Sequence, residues 1–155
     1  VSMTLPKNVT GIVADSAFSS PYDIIKKRIR TTYHCNGRLL TIAIGIWSRM
    51  LAHYSLKELS VPDVMKHNTI PVLLVHGTED SNVPVEMTVK IAENCQAPKQ
   101  VLLVKGAEHG TGYLVDNEAY KKGASGVLFL RCFGLMKEIV CFWLNCFWLC
   151  KVLYM

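Results

Sequence analysis

Asp80 and His109 are the side chains best suited to do chemistry, and both follow short apolar runs. Val72 to Val75 breaks at His76 and Gly77 and ends in the polar tip Thr78, Glu79, Asp80. Val101 to Val104 passes through Lys105 and Gly106 to Ala107, Glu108 and His109. Continuous apolar runs of this length predict parallel strands covered on both faces. Open parallel sheets take their ligands outside the carboxyl ends of the strands. The two tips therefore predict a carboxylate and an imidazole on one edge of one sheet, which is two-thirds of a Ser-His-acid triad. Imidazole, with an unperturbed pKa of about 6.5, suits the base that takes a proton from a nucleophile and returns it to a leaving group. The aspartate would hold the ring in one tautomer and stabilise the imidazolium that forms.

The elements that must position this pair read as α/β. Pro71 lacks an N–H and suits the first position of a strand. Gly11 to Ala14 is a third apolar strand with Asp15 and Ser16 at its tip, and Asp15 is a rival for the role of acid. Ser19, Ser20 and Pro21 offer a hydroxyl cap and a proline at the first helical position. The helix Tyr22 to Arg30 sets Ile24, Ile25 and Ile29 against the basic cluster Lys26-Lys27-Arg28, which reads as a solvated face. Leu39 to Tyr54 is apolar nearly all round, so it predicts either a lid segment over a site or a buried helix. After Asp80, Pro84 opens a helix over Val85 to Asn94. His76 is expected to orient its loop by a hydrogen bond. Alternating strands and helices of this kind make a parallel sheet with flanking helices.

The chain has 155 residues, half of them apolar, and a net charge of +5. That excludes disorder, and the scattered charge without interleaved aromatics excludes nucleic acid as a partner. The six cysteines match no zinc spacing, and no metal or cofactor is expected. No signal peptide opens the chain. Its first residue is Val, so a start inside a longer protein is the expectation, with Val1 to Leu5 as the last turn of a helix. The compartment is left open, with the cytoplasm favoured. Residues 1–122 read as one α/β unit and residues 123–155 as a hydrophobic tail. The tail opens with Gly123-Ala-Ser-Gly126, and Arg131, Lys137 and Glu138 interrupt it. Its uncharged run Ile139 to Cys150 is shorter than the roughly 20 residues a membrane span needs. Three readings compete for it: a membrane-associated anchor, a buried helix, or residues outside the fold, as a frameshift would give. The last is the expectation.

His76-Gly-Thr-Glu-Asp80-Ser-Asn-Val-Pro84 resembles the HGxxDxxVP segment of α/β-hydrolases, and Gly106-Ala-Glu-His109 resembles their GxxH loop. Leu5-Pro-Lys-Asn8 through Asp15-Ser-Ala-Phe18 resembles the strand and loop that follow the nucleophile helix. The resemblance runs from Val1 to Lys122. It implies the C-terminal part of a serine esterase or peptidase of the prolyl-oligopeptidase-like or serine-aminopeptidase-like kind. Asp80 would then be the acid and His109 the base, and the substrate a small ester or an acyl-peptide. The family's nucleophile lies in G-x-S-x-G, and no such motif occurs in this sequence. Gly123-Ala-Ser125-Gly126-Val127 comes nearest but lacks the final glycine and follows the histidine. Missing strands would leave the strand at Gly11 with an unpaired edge. Two other classes stay open. One is a non-catalytic α/β binding module, although neither G-x-G-x-x-G nor a P-loop is present. The other is a membrane-associated protein held by its tail.

Overall fold

The computed structural model describes Val9, residues 11–129, and strand backbone at 140–143 and 152–153. The order is β1 (Ile12–Asp15), α1 (Pro21–Tyr33), α2 (Arg38–Ala52), α3 (Val61–Met65), β2 (Val72–Gly77), α4 (Val85–Asn94), β3 (Lys99–Val104), α5 (Gly112–Val115), α6 (Asn117–Phe129), β4 (Val140–Trp143) and β5 (Val152–Leu153). The sheet order is β3-β2-β1-β4-β5. All neighbours are parallel except β4 and β5.

β2 is buried along its whole length, which explains why it reads as an uninterrupted apolar run. Its alternate residues feed two layers. Val72 and Leu74, with Ile12 and Ala14 of β1, pack on Met65 of α3 and on Ile91 and Ala92 of α4. Leu73 and Val75, with Val13 and Val104, pack on Tyr120 and Val127 of α6. Helices thus cover both faces, and the strands' carboxyl ends stay together: Asp15 pairs with Val75 and Gly77 with Val104.

Ser20 caps α1 by accepting the Asp23 N–H at 3.0 Å, with Pro21 at the helix start. α4 has the limits its sequence predicts. Four expectations need correction. β3 is not covered on both faces. It is an edge strand that turns Leu102 and Val104 inward and leaves Val101 and Leu103 half exposed. α2 is not a buried helix: it buries only Thr41 and turns Leu39, Trp47, Met50 and Leu51 outward. The change of character at Gly123 does not break the chain, because α6 continues to Phe129. There Gly123 lies against Leu73 and Val127 is buried against Gly11, so the small residues serve close helix–sheet packing. The free edge expected at β1 is occupied by β4, which brings part of the tail into the sheet. The rest of that tail, and the helical turn expected at Val1 to Leu5, lie outside the described residues.

Gly77 closes β2 where the two strand tips meet. A Cβ there would press into the Ala107 carbonyl and lie 2.8 Å from the Glu108 carbonyl oxygen. Both obstacles are backbone and cannot rotate away. Gly77→Ala is expected to destabilise the fold by about 1–3 kcal/mol, the usual range for forced overpacking, read as a lower urea midpoint. An unchanged midpoint would mean the loops are not held this closely.

Candidate active site

The tips of β2 and β3 are hooked together by backbone. The Thr78 N–H donates to the Val104 carbonyl and the Glu79 N–H to the Ala107 carbonyl, both at 3.0 Å. The Gly106 N–H returns a bond to the Thr78 hydroxyl at 3.0 Å. These bonds place Asp80 and His109 face to face.

The Asp80 side chain is 1% exposed, and its two oxygens do separate work. Oδ1 accepts the N–H groups of Asn82 and Val83 at 2.9 and 2.8 Å, which is the capping role common for an aspartate at a strand end. Oδ2 meets His109 Nδ1 at 2.8 Å. Capping and pairing with histidine therefore coexist on one carboxylate. Burial pushes its pKa up, but the Val83 N–H and His109 outweigh burial and hold it below the ordinary carboxylate value. In the tautomer whose Nδ1–H donates to Asp80 Oδ2, His109 carries no proton on Nε2. Its side chain is 14% exposed, so a reacting group could reach it.

His76 is fully buried and plays the orienting part its position predicts. Nε2 faces the Val83 carbonyl at 3.0 Å and Asp80 Oδ2 at 3.4 Å, and Nδ1 meets the Thr88 hydroxyl at 2.6 Å. The imidazole thus ties the acid loop to α4. A second brace escapes the sequence. Lys27 Nζ donates to the carbonyls of Ser81 and Asn82 at 2.7 and 2.9 Å, and Arg28 donates to Asn82 Oδ1 at 3.0 Å. The basic face read as solvated therefore clamps the loop after Asp80. Nothing in a run of lysine and arginine signals a partner more than fifty residues away.

Asp15, the rival acid, is not the histidine's partner. Its Oδ1 receives the Ser16 hydroxyl at 3.3 Å, and its Oδ2 is buried with no hydrogen-bond partner among the described residues. Burial raises its pKa, against smaller opposing effects of the Ser16 hydroxyl, His76 and His109. Among the described residues no group of His, Cys, Asp and Glu could hold a metal ion, and no helix is long and apolar enough to cross a membrane.

A family model described as TAP-like protein matches residues 50–126, a stretch that contains both Asp80 and His109. An uncharacterized protein of Bacillus subtilis (strain 168), YqkD, is 24% identical over 110 residues, covering 71% of this chain and 36% of that protein. The chain spans about a third of the length of this curated relative. Among solved structures, the esterase PF2001 of Pyrococcus furiosus is similar over 80% of this chain and 45% of its own, with 18% identity and a TM-score of 0.48. Rv0554 of Mycobacterium tuberculosis is similar over 79% of this chain and 57% of its own, with 16% identity and a TM-score of 0.46. The fold is α/β-hydrolase-like, with parallel strands between flanking helices.

Asp15 makes a prediction about pH. A carboxyl whose folded pKa is raised favours the protonated form. Its ionisation therefore removes stability as pH climbs from the ordinary carboxylate value through the raised one. Asp15→Asn takes that loss away. The variant is expected to melt higher than the parent at neutral pH, with the gap closing below about pH 4, where carboxyls ordinarily protonate. An equal or lower melting temperature at neutral pH would show that Oδ2 of the ionised Asp15 has a partner after all.

Proposed function

We propose that this chain supplies the acid and base of a serine hydrolase, Asp80 and His109, without the nucleophile. The observation that carries the reading is the 2.8 Å contact between a buried, amide-braced carboxylate oxygen and the Nδ1 of a partly exposed histidine. In a protein holding this segment beside a G-x-S-x-G turn, Nε2 of His109 would take the serine proton as the hydroxyl attacks an acyl carbon. It would then return that proton to the leaving group; in the second half Nε2 takes a proton from water as the water attacks the acyl-enzyme, and gives it back to the serine oxygen as the acid product leaves. Asp80 keeps the ring oriented and offsets the imidazolium charge. The substrate class is an ester, with a peptide or amide bond as the alternative. A serine esterase or peptidase of the prolyl-oligopeptidase-like or serine-aminopeptidase-like kind fits the HGxxDxxVP and GxxH segments.

The chain itself is a C-terminal piece in this reading, because its sequence holds no G-x-S-x-G. Loss of the nucleophile alone removes roughly 10⁶ in rate from such triads. Incubating the purified chain with a serine-directed fluorophosphonate is expected to leave every serine unlabelled, and small aryl esters are expected to turn over no faster than in buffer. Labelling of one serine that disappears in His109→Ala would place a nucleophile within this chain and overturn the reading.

A further inference from the structure

Ser16 stands one residue beyond β1, continuing the sheet ladder through its N–H to the Val75 carbonyl at 2.9 Å. It is 1% exposed and has φ 53°, a left-handed conformation that side chains with a Cβ adopt at a cost. Its hydroxyl oxygen accepts the N–H of Gly110 at 3.1 Å, the residue next to His109 and far away in sequence. With the oxygen's lone pair so engaged, the hydroxyl has one proton to give. Asp15 Oδ1 lies 3.3 Å away, long for a hydroxyl–carboxylate bond, which ordinarily measures about 2.5–2.7 Å. The Ser16 hydroxyl thus links the end of β1 to the turn beside the histidine.

We propose that Ser16 is a positioning residue: its hydroxyl anchors the turn after His109 through the Gly110 amide and so keeps the His109 Nδ1 against Asp80 Oδ2. The proposal rests on Asp80 and His109 acting as the acid–base pair. The anchor holds the far side of His109, on a loop whose near side is tied to the β2 tip through Gly106 and Ala107 and to Asp80 through the histidine itself. It also explains why a serine occupies a left-handed position that suits glycine better. Glycine would relieve the backbone and leave the Gly110 N–H without its acceptor.

Two variants separate hydroxyl from backbone. Ser16→Ala removes the hydroxyl and keeps the strained Cβ, whereas Ser16→Gly removes both. In the full chain, carboxyl-carbon NMR follows the titration of Asp80, and amide hydrogen exchange follows Gly110. Both variants are expected to raise the Asp80 midpoint toward the ordinary carboxylate range. Both are also expected to speed Gly110 exchange roughly tenfold, the scale of one lost hydrogen bond. A purely structural role would change exchange without moving Asp80. An unmoved Asp80 midpoint, unchanged Gly110 exchange, or an effect confined to the alanine variant would each overturn the proposal. Should the alanine variant fail to fold, the glycine variant, which suits the backbone, decides alone. Neither readout needs turnover, so failure here leaves the hydrolase reading standing, and failure of that reading shows instead in fluorophosphonate labelling.

Discussion

A carboxylate buried to the extent of Asp80 stays ionised only if donors meet both its oxygens. That requirement organises the strand-tip layer. Oδ1 is met by two backbone N–H groups of its own loop, and Oδ2 by a histidine from the next strand. For the loop to present those N–H groups it must turn sharply, and three neighbours hold the turn. His76 fixes the Val83 carbonyl, while Lys27 and Arg28 fix the carbonyls and side chain at Ser81 and Asn82. For the histidine to arrive, β3 must lie beside β2 in the register that puts Val104 opposite Gly77. The close approach at Gly77 follows from that register.

The sheet serves this layer by burying β2 from both sides. Alternate side chains of β1 and β2 enter two separate cores, one closed by α3 and α4 and the other by α6. Two helices also reach the tips: α4 carries Thr88 to His76, and α5 brings Gly112 against Asp15. Packing and chemistry therefore share residues. A change in the core beneath β2 would be felt in the spacing of the two loops above it.

The parts of this arrangement that follow from local pattern are readable in the amino-acid order. β2 is an apolar run with a proline at its start, α4 has a proline before it and an amphipathic stripe, and α1 has a serine cap. The acid and the histidine share an edge because parallel strands align their carboxyl ends. What depends on distant partners is not readable. β3 resembles β2 in composition, and only its place at the end of the sheet order makes it an edge strand. α2 is apolar enough for a core, yet it buries threonine and turns leucine, methionine and tryptophan outward, which no periodicity count distinguishes from a buried helix. Gly123 and Gly126 look like the opening of a separate tail until α6 is seen pressed against Leu73. Ser16, Lys27 and Arg28 act through contacts that span most of the domain, and nothing beside them in the chain marks those roles.

The central claim is that Asp80 holds His109 with its proton on Nδ1, leaving Nε2 free to act as a base. Long-range nitrogen–proton correlation NMR of the imidazole, above the pH at which it is charged, reads that directly. The account predicts a single tautomer with Nδ1 protonated and Nε2 bare, relaxing to a mixture in Asp80→Ala. A proton on Nε2 in the unmodified chain, or a mixture that Asp80→Ala does not change, would contradict it.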